Sequence, residues 1–233
     1  MVRFGLKPAV FIASLGPFCY LVWAAFTGHL SANPLSDLTN ETGVWTLRFV
    51  CVTLAITPLR RLTGWNQLVK FRRMAGLFAF FSGTLHLMTY AIVDRFAGLD
   101  QAASWVEALS AGHAPGGALI ASTLGALAKS IGEDIYKRPF ITVGFAAWLT
   151  MLPLAITSTA GWIRRLGGKR WNRLHRLVYL TGVLGPLHYW WLVKADVNRP
   201  LTYAAIAALL LGARVYWNRA RAAAPVRAPA SRP

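Results

Sequence analysis

The chain has 233 residues, of which 55% are hydrophobic and only 14% charged, with a formal net charge of +17 and a mean hydropathy of +0.44. Soluble domains run nearer a quarter charged, so this balance excludes an ordinary soluble fold and fits one polytopic membrane domain. The basic residues alternate with apolar spans, a pattern that reports membrane orientation rather than nucleic-acid binding.

Residues 1–8 form a short basic leader, and 9–26 are the first apolar run. A signal peptide is the competing reading, but the run is long for a signal core and no small-x-small site ends it cleanly. It reads as a retained helix. A polar turn with His29 follows; then come a second span over 43–57, carrying Arg48 and ended by Pro58, and a linker with Lys70, Arg72 and Arg73. Arg48 either lines a cavity or snorkels outward. The third span, 74–93, holds His86 in its far half.

The longest polar section, 94–138, predicts two short helices around a Gly- and Pro-containing turn with His113, read as a solvated histidine. Ile120, Leu124, Leu127, Ile131 and Ile135 recur at a helical period and suggest an interfacial or docking face. Residues 140–160 are the fourth span, broken by Pro153, and 161–173 a strongly basic loop. The fifth span runs over 171–194 and the sixth over 201–217; the Arg-, Ala- and Pro-rich tail, 218–233, reads as disordered. Cys19 and Cys51 fall inside apolar runs without metal-ligand spacing. No internal repeat is evident. The fold class is therefore an all-α six-helix transmembrane bundle over 9–217, between a cytoplasmic leader and a cytoplasmic tail.

The charges set its orientation. In a six-span arrangement the basic clusters around 58–73 and 161–176 and the tail fall on one side, with Arg3 and Lys7, while Asp37, Glu41, Asp94, Asp100, Glu107, Glu133, Asp134 and Asp196 fall on the other. The positive-inside rule then puts both termini in the cytoplasm and the 94–138 loop outside.

Ionisable side chains inside a span cost at least ~2.5–3.5 kcal/mol on insertion scales, so a function is their default reading. The fifth span carries two, His175 and His188, thirteen residues apart, or about 20 Å along a helix axis. His86 and His188 reach the same outer depth, as two imidazole ligands of a haem iron must. Opposite His175, span three offers only Arg72 and Arg73, which are poor iron ligands but suit haem propionates or an anionic flavin or quinone site. Gly76, Gly83, Gly182 and Gly185 let either a flat macrocycle or a second helix approach. On a straight helix His175 and His188 would stand about 140° apart, and a kink at Pro186 is expected to bring them into phase.

Several stretches, each quoted by its first and last residues, then carry a resemblance: Ile56 to Arg61, Leu85 to Tyr90, Lys137 to Gly144, Ala155 to Leu180 and Leu187 to Lys194. Together they resemble the MsrQ (YedZ) family, haem-binding membrane subunits of the bacterial methionine sulfoxide reductase system MsrPQ, over about residues 10–217. The resemblance implies a ferric-reductase-like transmembrane domain in the inner membrane, binding b-type haem through His86, His175 and His188. It also implies electron transfer from the quinone pool, or from a cytosolic flavin reductase, to the periplasmic molybdoenzyme MsrP, which repairs methionine sulfoxide. FMN is associated with the family, though no motif here places it. The chain departs from the pattern in the outer loop, where about 97–122 look inserted. It lacks the second span-three histidine of NADPH-oxidase relatives, which leaves one haem or two open. The other readings of the residues are a self-contained ferric or cupric reductase and a cofactor-free membrane scaffold.

Overall fold

The structure, a computed structural model, describes residues 6–193 and 196–223. Among these every regular element is helical: α1 (Leu6–Thr27), α2 (Pro34–Thr63), α3 (Val69–Met88), α4 (Gln101–Ser110), α5 (Gly117–Lys137), α6 (Pro139–Ile156), α7 (Ala160–Leu174), α8 (Leu177–Leu192) and α9 (Asn198–Ala223). A π-helical stretch, Thr89–Phe96, prolongs α3. Five of the helical stretches are long and apolar enough to cross a membrane: α1, α2, α3 with its flanks, α6 and α9. The remaining expected span is α8, whose 16 residues reach about 24 Å. Large apolar side chains such as Phe26, Leu62 and Leu209 stand exposed on the flanks, the polarity of a surface that faces lipid rather than water.

Local chemistry explains where the helices differ from the expected spans. α2 starts at Pro34 because Asn33 caps it, accepting the Ser36 N–H at 3.1 Å, and it ends at Gly64, which adopts φ 69°. It does not stop at Pro58. Proline withholds the N–H that would bond the Leu54 carbonyl, and Arg214 of α9 supplies it instead, its guanidinium donating at 2.6 Å. A tertiary bond thus replaces the backbone bond, and the helix continues.

The stretch expected as a basic loop, 161–173, is helix α7, with Gly167 at φ 70° breaking it internally. The chain turns at His175 and Arg176 before α8 begins. The fifth span is therefore not one helix over 171–194. His175 and His188 lie on different segments, and a kink at Pro186 has no phase to correct. Residues 218–223 continue α9 rather than forming a tail, and 6–8 belong to α1; the rest of the expected leader and tail lies outside the described residues.

The packed core is Phe49, Val50 and Leu54 of α2 with Phe78 and Ala79 of α3 and Met151 of α6. α1 lies against it through Phe11 on Phe78 and Phe18 on Phe81, ring centres 5.3 and 5.5 Å apart. This apolar plug sits midway along the bundle. A cavity opens on either side of it.

Candidate functional site: two cavities on either side of the core

One cavity, about 340 Å³ and outer in the sense that it opens toward the 94–138 loop, is lined by α2, α3 and its π-helical extension, α5, α6 and α8. His86 of α3 and His188 of α8 meet in it, ring centres 6.0 Å apart and planes at 74°. Each ring is tethered from the neighbouring helix. The His86 Nδ1–H donates to the Thr39 carbonyl at 2.9 Å, and the His188 Nδ1–H donates to the Phe140 carbonyl at 2.6 Å. These bonds select one tautomer and leave Nε2 of each ring with its lone pair for a metal.

Two glycines that the sequence did not single out sit against these rings. A Cβ on Gly43 would lie 3.1 Å from His86, and one on Gly144 would lie 2.7 Å from His188. Each follows the tethering carbonyl's residue by four positions, one helical turn, a spacing that acquires meaning only once the facing helix is known. The glycines that were singled out behave differently. Cβ atoms at Gly182 and Gly185 would meet Leu54 and Leu47 side chains of α2 at 2.9 and 2.7 Å, and one at Gly83 would meet the Met151 tip at 2.9 Å. At Gly182 and Gly185 this is close helix approach. Gly76 has only Thr53 nearby, at 3.8 Å, while Pro186 is buried within α8.

A charged cluster closes the mouth of the outer cavity. Asp134 of α5, itself buried, accepts the Tyr90 hydroxyl at 2.6 Å and pairs with Arg95 at 3.0 Å and Arg138 at 3.2 Å. The π-helical turn after His86 delivers Tyr90 and Arg95 to this point, a common use of such turns near functional sites. Ile131 and Ile135 line the same cavity, so the inner part of the α5 apolar stripe closes the site, whereas Leu124 remains exposed. Trp148, also missed in the sequence, lines the cavity, and its indole N–H donates to Thr84 at 3.1 Å.

The inner cavity, about 300 Å³, brings together His175, Arg72 and Arg73 with Gly76, Ser158, Trp171 and Asn172. His175 stacks on Trp171, centres 3.7 Å apart, and its Nδ1–H donates to the Trp171 carbonyl at 3.2 Å. Its Nε2 is buried close to the Leu154 backbone without a well-formed hydrogen bond. Val50, Met151 and Thr181 line both cavities, so one thin wall separates them. The remaining candidates lie elsewhere: Arg48 bonds Tyr203 at 3.1 Å and covers Trp45, His29 stacks on Trp23, and His113 is exposed in its turn.

Residues 42–185 match the family model described as ferric reductase like transmembrane component, a stretch that includes His86 and His175 and stops just short of His188. The chain is 50% identical over 214 residues to the protein-methionine-sulfoxide reductase heme-binding subunit MsrQ of Ralstonia nicotianae, spanning 91% of this chain and 85% of that one. It is 45% identical over 214 residues to the MsrQ subunit of Herminiimonas arsenicoxydans, with the same shares. It is 43% identical over 234 residues to that of Xanthomonas oryzae pv. oryzae, spanning 95% and 94%. No solved structure matches the chain.

Proposed function

Because this chain belongs to the MsrQ family of protein-methionine-sulfoxide reductase heme-binding subunits, we propose that it carries electrons across the bacterial inner membrane on b-type haem. The electrons pass to a periplasmic MsrP-type molybdoenzyme that repairs methionine sulfoxide. The observation that carries this reading is the pair of tethered imidazoles in the outer cavity. Rings with centres 6.0 Å apart and Nδ1 tied away on each would let both Nε2 atoms reach one metal at bonds of about 2.0–2.1 Å. The donor set fits a six-coordinate haem iron, and such a haem supplies a one-electron Fe(III)/Fe(II) couple.

The chain's own residues do the rest. The Thr39 and Phe140 carbonyls hold both rings in the metal-binding tautomer. Val50 and Met151 set apolar side chains between the two cavities, with Thr181 beside them. In the inner cavity Arg72 and Arg73 offer fixed positive charge to an anionic group, and His175 brings its imidazole beside them. This is the receiving end for electrons from the quinone pool or a cytosolic flavin reductase. It accommodates a second haem with its propionates on the arginines, a quinone head group, or FMN. In this reading both termini are cytoplasmic, and α4 and α5 face the periplasm.

An optical spectrum of the purified chain tests the haem. A Soret band with reducible b-type α and β bands is expected, and a well-folded protein without one would remove the reading. Turnover of an MsrP-type enzyme fed by reduced membranes tests the electron route. It is expected only when this chain is present; equal turnover without it would assign the route elsewhere.

A further inference from the structure

We infer that Gly43 and Gly144 are positioning residues for the outer site: each opens a groove on its helix in which one imidazole seats against the carbonyl one turn earlier. The inference rests on His86 and His188 being the haem ligands, and adds how the fold orients them. The same device occurs twice. On α2 the Thr39 carbonyl takes the His86 Nδ1–H at 2.9 Å and Gly43 stands beneath the ring. On α6 the Phe140 carbonyl takes the His188 Nδ1–H at 2.6 Å and Gly144 stands beneath the ring.

Helix geometry makes the glycine necessary. A carbonyl inside a helix already accepts the N–H four residues on and has a second lone pair to spare. A side chain four residues later projects back along the helix and covers that lone pair. Without it, an imidazole from the next helix can lie flat on the backbone and reach the oxygen.

What separates this role from ordinary packing is the atom met, a pinned ring rather than a movable methyl, since the contacts at Gly182 and Gly185 are just as short. A Cβ at Gly144 would lie 2.7 Å from both Cε1 and Nδ1 of His188, and one at Gly43 would lie 3.1 Å from the same atoms of His86. Relaxed carbon contacts lie at about 3.5–4.0 Å. At Gly182 the atom met is a terminal methyl of Leu54, which can rotate aside. The His rings cannot, because the Nδ1 bond pins one side and a metal would pin the other. A bulkier residue must therefore break the carbonyl bond or tilt the ring. Loss of that bond makes the imidazole a weaker donor to Fe(III), so the reduction potential rises.

The test uses the full-length protein in detergent, with Gly43→Ala, Gly144→Ala and, as a packing control, Gly182→Ala. Haem content, the low-spin ferric gmax and the midpoint potential are read beside size-exclusion behaviour and melting temperature. Gly144→Ala is expected to weaken outer-haem binding by about 10-fold or more, with a moved gmax and a raised potential in whatever haem remains. Gly43→Ala, whose contact is looser, should shift gmax and potential in the same direction but less. Gly182→Ala should lower the melting temperature and leave gmax and potential where they were. If Gly144→Ala aggregates, Gly43→Ala decides. Wild-type haem content, gmax and potential in the folded Gly→Ala variants would overturn the inference, as would an equal shift in Gly182→Ala. Wild-type protein without any Soret band would instead sink the haem reading itself.

Discussion

At the scale of single residues, the outer site owes its geometry to the hydrogen bonds that His86 and His188 make at Nδ1, away from the nitrogens proposed to hold iron. The two ring planes lie 74° apart because their tethering carbonyls belong to different helices, α2 and α6. Were the proposed haem held by both rings at this angle, its two π-type d orbitals would lie close in energy, and the oxidised protein is expected to give a large-gmax low-spin signal rather than a rhombic one. Electron paramagnetic resonance of the oxidised protein checks this; a well-resolved rhombic spectrum would mean parallel rings. Replacing His86 or His188 by Ala should remove that signal, since six-coordination needs both. The histidine pair was legible in the sequence because charge segregation fixed the depth of each span, and depth alone put His86 level with His188. Gly43 and Gly144 were not. Their role depends on which helix faces which, and a periodic pattern carries no such information.

At the scale of elements, the places where the sequence misled are those where a tertiary partner overrides a local rule. Pro58 carries a stop signal that the structure does not obey, because Arg214 caps the freed Leu54 carbonyl from 160 residues away. Arg214 also lies over the Tyr179 ring at 5.1 Å, so it joins α2, α8 and α9. Arg214→Met should leave that carbonyl unpaired at a cost of about 1–3 kcal/mol. In a Pro58→Ala background the backbone N–H returns, and the same change should cost distinctly less. A double-mutant cycle by thermal melting checks the coupling; additive effects would mean that Arg214 does not replace the lost backbone bond. The break after α7 was hidden for a related reason. Residues 171–176 have the basic and aromatic composition of a span's end, and nothing local announces that the chain turns there. The turn is fixed by contacts: the Trp171 indole N–H donates to the Thr157 carbonyl at the end of α6, at 2.9 Å.

The same reasoning applies to α5, whose apolar period was visible while its anchor was not. Asp134 ties it to Tyr90 and Arg95 at the end of the helix that bears His86, and to Arg138 at the start of α6. Asp134→Ala removes the shared partner of the three: the Tyr90 hydroxyl loses its acceptor, Arg95 keeps only Asp94 at 2.9 Å, and Arg138 turns to solvent. The expected result is a loosened cap over the outer cavity. Faster loss of haem to an acceptor such as apomyoglobin would show it, while an unchanged transfer rate would confine the cluster to holding the loop.

At the scale of the whole molecule, the two cavities are unequal, and the proposed electron route assigns them different tasks. The outer one brings two imidazoles together, whereas the inner one has a single imidazole, His175, beside two arginines. They share a wall of Val50, Met151 and Thr181, so an electron leaving the inner cavity has only packed side chains to cross. His175 lies at the inner cavity and contacts neither His86 nor His188. His175→Ala should therefore preserve the large-gmax signal of the outer site and its reduction by dithionite. Reduction driven by quinol or by a flavin reductase should become much slower, because only that route passes through the inner cavity. Stopped-flow reduction of the outer haem with each donor measures the difference. An unchanged donor-driven rate would place electron uptake away from His175, and loss of the outer signal would mean that the two sites are not separately built.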